Sequence, residues 1–461
     1  MNIVIAGAGA VGTHLARLLA REKHKITLLD ENPSRLEGLN SNMDIMTLVA
    51  TPTSISDLRG ADVESSDLFI GVTPDEARNL TACMIASRLG AKLTVARVDN
   101  SEYVTSDFSS FFKGVGIHSI VYPEMLAGRE ISHDIQRSWV RQWWDFQDGK
   151  LILLGVKVRE NSTLINKPLK DVCSPDDPYL IVALKHGSET LIPRGMTCIT
   201  PGDVVYFMTT PENIDTIKEL AGKVGYKEVK NVMMLGGSST AIYAIKNLPK
   251  HINVKIFETD PKRVEELANI FIEDIDNGRI TLLQADGRDI NLLQDENIAH
   301  TQAFVATTEN AETNILACLA AKRLGVQKTV AMVENSDYIG MAESLDIGTI
   351  INKKTFAASH IYQMLLKADV ESLKSLTIAN ADVAEIKVLK GSKVSKKLVR
   401  DLRLPMNTNL GGYIRDGKCE LINGNTQLKE GDIVVAFCIE DGIYKLEKFF
   451  SSSSFLGSLV N

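Results

Sequence analysis

The chain has 461 residues, of which 44% are hydrophobic, 24% charged and 6% aromatic, and its formal net charge is −7. Because one hydrophobic core rarely serves more than about 250–300 residues, this length predicts several domains. The mild acidity gives no overall electrostatic footprint for nucleic acid, which needs a clustered basic surface, and no apolar stretch reaches the roughly 18–20 residues that cross a bilayer. We therefore expect a cytoplasmic protein that carries no secretion signal and binds no nucleic acid.

The first predicted element is a glycine-rich turn between a strand and a helix. Residues 2–12, NIVIAGAGAVG, place a short apolar run before three glycines in the pattern G-x-G-x-x-G, and an apolar-striped helix follows. The first glycine permits a tight turn, the second lets backbone approach a diphosphate, and the third allows the helix to pack closely on the strand. Amides at the helix N-terminus then bind phosphate. The candidate phosphate contacts are Gly7, Ala8, Gly9, Ala10, Val11 and Gly12.

A carboxylate follows the second predicted strand. Asp30 lies 23 residues beyond Gly7, where a carboxylate accepts hydrogen bonds from ribose hydroxyls and repels a 2′-phosphate. The spacing therefore favours NAD or an adenine nucleotide over NADP. A glycine turn that binds no ligand is the alternative.

Further strands alternate with helices. The first six strands are predicted at residues 3–6, 25–29, 46–50, 68–72, 94–98 and 119–121. This alternation predicts a doubly wound parallel sheet, which binds ligands at the carboxyl ends of its strands. Thr73 and Pro74 lie at the end of the fourth strand. Arg97 lies at the end of the fifth, where it reaches phosphate or a neighbouring subunit, with a surface ion pair as the alternative.

A smaller domain of short β-branched runs follows at residues 139–219, and we predict an α+β fold for it. His186 lies in a KHGSE stretch that indicates a hairpin tip. Trp139 and Trp143 are four residues apart, so they share a helical face if the preceding helix continues. These side chains are expected either at a subunit or partner interface or in the core of the small domain.

The second half of the chain repeats the first. Residues 231–241 parallel 2–12, residues 254–264 parallel 26–36, residues 304–314 parallel 69–79, and residues 324–339 parallel 89–104. Strands are predicted again at 232–235, 254–258, 280–284, 303–306, 329–333 and 349–351. The predicted organisation is two tandem doubly wound Rossmann-like domains, each followed by a small α+β domain. The segments are residues 1–137, 138–226, 227–371 and 372–461, the last with a flexible tail.

The second glycine loop departs from the pattern. Ser238 stands at the position of Gly9 and Ala241 at that of Gly12. The Cβ of Ser238 crowds a phosphate, although its hydroxyl is able to donate a hydrogen bond, so an empty site and a weaker second site are both open. Glu258 replaces Asp30 and still suits ribose. The candidate residues of this site are Gly236, Gly237, Ser238, Ser239, Thr240, Glu258, Asp286, Thr307 and Thr308.

No catalytic or metal site is predicted. A nicotinamide oxidoreductase needs a general acid or base opposite the cofactor, and the small domains offer only His186. The cations of the second small domain have the spacing of a solvated face: Lys393, Lys396, Lys397, Arg400 and Arg403. The cysteines have no metal-ligand spacing, and we predict buried free thiols. They are Cys83, Cys173, Cys198, Cys318, Cys419 and Cys438.

Several motifs together resemble the RCK family of potassium-transport regulators, over nearly the whole chain. The first half carries GAGAVG with Asp30, GVTPDEARN, ARVDNSEYV and WWDFQDGKL, and the second carries LGGSSTA with Glu258, ATTENAETN and AMVENSDYI. The resemblance implies a peripheral regulatory subunit on the inner face of the cell membrane. It implies a homo-oligomeric ring, a tetramer, beneath a potassium-translocating partner.

The resemblance also implies the ligand and the moving parts. The expected ligand is NAD(H), with ATP or ADP at the same or the second site, and an adenine contact at Thr51 or Asp286 after the third strand of each copy. Nucleotide binding then changes the shape of the ring. The expected moving parts are residues 122–138 and 352–372, which are expected to pack against a neighbouring subunit. An NAD-dependent oxidoreductase and a regulator of another cation channel or antiporter are the alternatives.

Overall fold

The computed structural model describes residues 1–20, 24–39, 43–146, 149–187, 189–335, 337–368, 373–378, 381–439 and 442–450. The predicted flexible tail and the predicted boundary at residue 372 lie outside the described residues. The chain forms two compact units. One combines Met1–Gln136 with Val229–Leu365, and the other combines Arg137–Glu228 with Leu366–Asn461.

The described β-strands are numbered in chain order. They are β1 (Asn2–Ala6), β2 (Lys25–Asp30), β3 (Met46–Val49), β4 (Leu68–Gly71), β5 (Leu93–Arg97), β6 (Ser119–Val121), β7 (Gln142–Phe146), β8 (Leu151–Lys157), β9 (Tyr179–His186), β10 (Glu189–Leu191), β11 (Val204–Thr209), β12 (Asn231–Leu235), β13 (Asn253–Glu258), β14 (Ile280–Gln284), β15 (Ala303–Ala306), β16 (Lys328–Met332), β17 (Thr349–Ile351), β18 (Leu373–Ile378), β19 (Ala381–Lys387), β20 (Thr408–Arg415), β21 (Lys418–Leu421) and β22 (Ile433–Ile439). Every strand predicted for the two Rossmann-like sheets is confirmed to within one residue at each end.

The described α-helices follow the same order. They are α1 (Ala10–Ala20), α2 (Ile55–Gly60), α3 (Glu76–Leu89), α4 (Ser106–Gly114), α5 (Pro123–Gln136), α6 (Leu169–Val172), α7 (Ile214–Leu220), α8 (Ser239–Asn247), α9 (Pro261–Ile270), α10 (Ile272–Asp276), α11 (Ile290–Asp295), α12 (Ala311–Arg323), α13 (Asp337–Ser344), α14 (Lys353–Ala368) and α15 (Gly442–Phe450). Among the described residues, no helix combines the length and apolar composition needed to cross a membrane.

The first unit contains two six-stranded parallel sheets of identical topology. Their strand orders are β3-β2-β1-β4-β5-β6 and β14-β13-β12-β15-β16-β17. The central strands are buried on both faces, as a parallel sheet covered by helices requires; Ile3, Val4 and Ile5 of β1 are all buried. The order reverses beside β1 and β12, so the predicted doubly wound fold is confirmed, and each glycine loop lies at the carboxyl end of the strand where ligands of such sheets bind.

Within this unit, the crossover helix α5 of the first copy packs on α8, the first helix of the second copy. A Cβ on Gly128 of α5 would lie 2.6 Å from the Cβ of Tyr243 and 2.8 Å from the carbonyl oxygen of Thr240. Ile131 and Ile135 belong to the same buried cluster as the second sheet. Helix α5 therefore covers the second copy of its own chain, and packing of residues 122–138 against a neighbouring subunit stays a prediction.

A buried ion pair also joins the two copies. The Nζ of Lys328 in β16 lies 2.6 Å from Oδ1 of Asp134 in α5, and both side chains are buried. The other carboxylate oxygen, Oδ2 of Asp134, is buried and has no hydrogen-bond partner among the described residues. A pair of this kind tolerates little displacement, because removal of either partner leaves a buried charge uncompensated.

The second unit contains two five-stranded antiparallel sheets. The first small domain has the strand order β10-β9-β11-β8-β7, and the second small domain has the order β18-β19-β22-β20-β21. One cluster of buried side chains is shared by the two sheets, including Leu153 and Met208 of the first and Val435 and Phe437 of the second. The small domains therefore pack face to face within one chain.

The tryptophans do not share a helical face, so that expectation is wrong. Helix α5 ends at Gln136, and Trp143 lies in strand β7, where it pairs with Leu154 of β8. Aromatic residues suit such a half-buried strand. Trp139 and Trp143 both pack against the core of the first small domain, and the guanidinium of Arg137 lies 3.9 Å from the Trp143 ring centroid. The structure therefore supports the core interpretation.

Candidate nucleotide-binding loops

The backbone geometry of the first loop requires glycine at two of its three glycine positions. Gly7 has a φ of +115°, and a Cβ on Gly12 would lie 1.8 Å from the carbonyl oxygen of Gly7. A Cβ on Gly9 would meet no atom of the protein within 4 Å. Fold geometry therefore explains Gly7 and Gly12, whereas Gly9 leaves open the space that a diphosphate would occupy.

The first turn of helix α1 offers unpaired amides. Its first main-chain hydrogen bond runs from the amide of Thr13 to the carbonyl of Gly9 at 2.9 Å, so the amides of residues 10–12 have no partner within the helix. The amide of Ala8 differs from the prediction, because it donates to Oδ2 of Asp30 at 2.8 Å. The helix N-terminus fits a phosphate, and Ala8 fixes the shape of the loop.

Asp30 ends β2 and lies at the bottom of this loop. Its side chain is buried, and Oδ1 accepts a hydrogen bond from the amide of Asn32 at 2.9 Å. Arg35 approaches Oδ2 at 3.5 Å. Sequence reasoning missed Arg35, although its repeat equivalent Arg263 was a signal that the position belongs to the site. Asp30 has lone pairs left for a ribose hydroxyl.

The end of β4 is held by an asparagine that sequence reasoning also missed. Oδ1 of Asn79 accepts from the amide and the hydroxyl of Thr73 at 2.8 and 2.7 Å. Its Nδ2 donates to the carbonyls of Thr73 and Arg97, both at 2.9 Å. All four hydrogen-bonding positions of this buried amide are used, so Asn79 fixes the carboxyl ends of β4 and β5 together.

Arg97 lies beside this network. It donates to the carbonyl of Thr73 at 3.2 Å and pairs with Asp99 at 2.7 Å, so the ion pair expected as the alternative is present. Its Nε is buried without a partner. Burial raises the pKa of Asp99 above its ordinary value, and Arg97 opposes that rise. Thr51 and Pro74 complete the predicted set; the amide of Thr51 donates to Asp57 at 2.8 Å.

The second loop repeats the carboxylate contacts of the first. The amide of Gly237 donates to Oε2 of Glu258 at 2.8 Å, and Oε1 accepts from the amides of Thr259 and Asp260 at 2.7 and 3.0 Å. Burial opposes ionisation of Glu258, but these amides together with Arg263 hold its pKa below its ordinary value. Glu258 is therefore an anion with the same position and role as Asp30.

At the phosphate position, the second loop differs. The hydroxyl of Ser238 accepts from the amide of Ala241 at 3.3 Å and caps helix α8. Ser238 thereby satisfies one of the amides that a phosphate would bind. Arg263 reaches the same loop and donates from Nε to the carbonyl of Gly237 at 2.7 Å.

Other candidates of the second copy mirror the first or are paired locally. Asn314 holds Thr308 as Asn79 holds Thr73, accepting from its hydroxyl at 2.7 Å. Thr307 donates to the carbonyl of Gly236 at 3.0 Å. Asp286, the expected adenine contact, is paired with Arg288 at 2.6 Å, and that hydrogen-bonded pair lowers the pKa of Asp286.

A side chain of the first copy reaches the second loop. The side chain of Tyr122, which follows β6, lies close to that of Ser239 in the first turn of α8. Its ring stacks edge-to-face on Tyr243, with centroids 5.5 Å apart. Burial raises the pKa of Tyr122 to about 12, so its hydroxyl stays protonated. Asn352, its repeat equivalent, donates to the carbonyl of Val333 at 2.8 Å.

The cysteine prediction is right for some positions and wrong for others. Cys83, Cys318 and Cys438 are buried free thiols, whereas Cys198 is exposed and Cys173 and Cys419 are half-buried. Burial raises the pKa of Cys83 and that of Cys318 to about 12. Within the described ranges, no three His, Cys, Asp or Glu side chains come together as a metal site.

The fold and the paired loops define a class of protein with two tandem Rossmann-type domains, each followed by a small antiparallel domain. Models of known families agree with this division. The TrkA-N domain matches residues 3–123 and 232–353, and the TrkA-C domain matches residues 153–222 and 383–451. The chain therefore belongs to the TrkA family.

Curated relatives match along the full length. A Trk system potassium uptake protein TrkA homolog of Archaeoglobus fulgidus is 29% identical over 451 residues, which cover 98% of this chain and 100% of that protein. The TrkA proteins of Azorhizobium caulinodans and Haemophilus influenzae are 26% and 27% identical over 463 residues each. The alignments cover 98% and 99% of this chain and 99% and 100% of those proteins.

Solved structures share the fold. The RCK domain of GsuK superimposes with a TM-score of 0.57 at 14% identity, covering 97% of this chain and 94% of that one. The GsuK channel bound to NAD gives a TM-score of 0.56, also at 14% identity, covering 97% of this chain and 78% of that one. At this identity the likeness shows a common fold.

Proposed function

We propose that the chain is a nucleotide-responsive regulatory subunit of a potassium-transport system and that it is not an enzyme. Relatives that match along the full length are named potassium uptake proteins, and a structural neighbour is described as a channel bound to NAD. The proposed ligand of the first loop is NAD(H), and ATP or ADP is the alternative there or at the second loop. The proposed location is the inner face of the cell membrane, through a potassium-translocating partner.

One observation carries the proposal: helix α8, which begins at the second glycine loop, and the crossover helix α5 form a single packed element. Helix α8 begins at the second glycine loop and packs along α5 as closely as Gly128 allows. Tyr122, at the base of α5, adds an edge-to-face ring contact with Tyr243 of α8. A ligand that moves the N-terminus of α8 must therefore also move α5, since tightly packed interiors transmit displacements.

A ring of several subunits is able to supply the differential binding free energy that gating requires. A ligand regulates only if it binds two shapes with different affinity, and about 5.5 kcal/mol of differential binding takes a gate from 1% to 99% open. Several loops per ring share that requirement at roughly 1–2 kcal/mol each, within the usual range of coupling free energies.

Exposed apolar side chains support a homo-oligomer, which the resemblance describes as a tetramer. Phe108 and Phe111 on α4 are more than half exposed and stack on each other with ring centroids 6.5 Å apart. The equivalent helix of the second copy, α13, exposes Met341, and Leu345 follows it. Contiguous apolar surface of this kind marks association sites, and we propose that a second copy of the chain covers it.

The contact of His186 with Asp203 supports the proposal that the chain is not an enzyme. This histidine lies at the tip of the hairpin β9–β10, as the sequence predicts, and its Nδ1 lies 2.7 Å from Oδ1 of Asp203. The Asp203 position is structural in both small domains, because its equivalent Asp432 forms a two-bond pair with Arg415 at 2.8 and 2.7 Å. His186 replaces that arginine as a partner, which is a structural role.

Calorimetric titration tests the proposal. Wild-type protein is titrated with NADH, NAD, ATP and ADP, and so are Gly9→Ala and Gly60→Ala. A Cβ meets no protein atom at either glycine, so both variants keep the fold, and only Gly9→Ala fills the phosphate space. We expect binding to be lost in Gly9→Ala and retained in Gly60→Ala. Wild-type protein that binds none of the four nucleotides would overturn the proposal.

A further inference from the structure

One segment of the second small domain is strongly basic, and its repeat equivalent is not. Residues 388–405 carry six cations and one carboxylate, a net charge of +5, whereas residues 158–175 carry three cations and two carboxylates, a net charge of +1. The whole chain has a net charge of −7. The excess is therefore local, and it is specific to one of two copies that share a fold.

The lysines that the second copy adds lie at exposed positions. Lys390, Lys393 and Lys396 stand where the first small domain has Glu160, Thr163 and Asn166. The inward positions are conserved in kind: Ser392 and Val394 are buried, as are their equivalents Ser162 and Leu164. The architecture of the segment therefore does not explain its charge, because the same loop forms without the lysines.

These cations are exposed and lack opposite charges. All six are exposed: Lys390, Lys393, Lys396, Lys397, Arg400 and Arg403. Arg400 donates to the amide oxygen of Asn425 at 2.7 Å, and Lys393 lies 5.5 Å from the Phe449 ring centroid. The other four make no ion pair with any residue that the structure describes. Helix α15, which contacts this segment, carries the exposed Lys448.

We propose that this basic surface, residues 388–405, binds the anionic headgroups of a phospholipid membrane. Clusters of four to eight lysines and arginines are typical of such binding, and each contributes about 1 kcal/mol near an anionic surface. Leu389 and Met406 are exposed at the two ends of the segment and add apolar groups that the interface accepts. The nearness of a membrane rests on the proposed function, whereas the charge difference between the copies does not.

The composition favours lipid over other polyanions. Lysine is depleted in protein interfaces, where arginine and aromatic residues are enriched, and this surface is mostly lysine. Single-stranded nucleic acid is bound on aromatic platforms, and the segment contains no aromatic residue. Its two short 3₁₀ turns, Lys393–Ser395 and Val399–Asp401, form no helix that reads a major groove.

Co-sedimentation of the full chain with vesicles tests the proposal. The vesicles contain phosphatidylcholine with about one third phosphatidylglycerol, and pure phosphatidylcholine vesicles are the lipid control. The variant Lys393→Thr/Lys396→Asn replaces two lysines with the residues of the first small domain. The matched control Lys167→Ser/Lys170→Ser removes two exposed lysines from the equivalent loop there, so both variants change the net charge equally.

Wild-type protein is expected to co-sediment with the anionic vesicles and not with the neutral ones. The partition coefficient of Lys393→Thr/Lys396→Asn is expected to fall about 25-fold, fivefold per removed cation, and that of the control is expected to stay within about twofold. Added salt should weaken binding. Failure of wild-type protein to bind anionic vesicles, or an equal loss in both variants, would overturn the proposal.

Two further measurements distinguish lipid binding from nucleic-acid binding and the lipid proposal from the proposed function. Preference of wild-type protein for a DNA duplex over anionic vesicles at the same salt would assign the surface to nucleic acid and overturn the lipid proposal. Nucleotide titration of the same samples keeps the two proposals apart. Vesicle binding without nucleotide binding contradicts the proposed function alone, and nucleotide binding without vesicle binding contradicts the lipid proposal alone.

Discussion

The two glycine loops share their internal hydrogen bonds and differ where a phosphate would bind. Asp30 and Glu258 each accept from a loop amide at 2.8 Å. At the second position of the pattern, Gly9 leaves open space, whereas Ser238 caps its helix. The two copies therefore share the architecture of the loop and differ in the surface that a phosphate would contact.

The loops also differ in their surroundings. The ring of Tyr122 of the first copy stacks on Tyr243 of α8, and helix α5 packs on α8. Tyr122 also lies close to Ser239 of the second loop, whereas Ala10 stands at the position of Ser239 in the first loop and has no hydroxyl. We infer that the first loop is the stronger binding site and that the second is the one coupled to the crossover helix.

The largest effect on stability is expected from breaking the buried ion pair between the two copies. Asp134→Asn leaves Lys328 charged and buried without its partner, and we expect the free energy of unfolding to fall by about 3–5 kcal/mol. Urea unfolding measures this loss. The double variant Asp134→Leu/Lys328→Met replaces the pair with apolar side chains and should recover most of the stability. Equal losses in both variants would show that the charge imbalance is not the cause.

A smaller effect is expected from exchanging the third residue of the glycine pattern. Gly12→Ala places a Cβ 1.8 Å from the Gly7 carbonyl oxygen, and we expect it to destabilise the first copy by about 3 kcal/mol. The reverse change, Ala241→Gly, should cost about 1 kcal/mol, the usual cost of glycine in a helix. Thermal unfolding of both variants measures the difference, and similar midpoints would contradict the account.

Removing the cap should sharpen the comparison between the loops. Ser238→Gly frees the amide of Ala241 for phosphate, and we expect the nucleotide affinity of the second loop to rise about tenfold, or about 1.4 kcal/mol. Calorimetric titration measures the affinity. Ser54→Gly is the control, because Ser54 caps α2 by the same contact at 3.3 Å to Asp57. An equal affinity in wild-type protein and Ser238→Gly would contradict the role of the cap.

The smallest effect is expected from one hydroxyl. Tyr122→Phe removes the hydroxyl that lies close to Ser239 and keeps the ring against Tyr243, so we expect a loss of at most about 1 kcal/mol with little change in packing. The loss should appear in the affinity of the second loop and not in that of the first. Tyr103→Phe, in the first copy beside Phe112, is the control, and a matching loss there would contradict the link through Tyr122.

Sequence patterns predicted the local features of both copies. The strands were found because each is a short apolar run with its own turn signals, and Asp30 and Glu258 were found because the fingerprint places them at the end of a strand. Asn79 and Asn314 lie in the repeated motifs EARN and AETN and were not singled out. A comparison of the repeats for buried polar positions would have found them.

Features that depend on tertiary packing were not accessible in this way. The contact of α5 with α8 joins residues more than a hundred positions apart, and no periodicity of either helix specifies its partner. The helical face predicted for Trp139 and Trp143 failed because pairing with β8 outweighed continuation of the helix. The boundaries of the four domains as folding units stay a prediction.

Nucleotide binding at the loops is expected to change the conformational dynamics of helix α5. Hydrogen exchange of residues 123–136, measured with and without saturating NADH and ATP, tests it most directly. A bound nucleotide is expected to change the exchange rates of these amides in wild-type protein and to change them less in Tyr122→Phe. Nucleotide binding that leaves the exchange of α5 unaltered would contradict it.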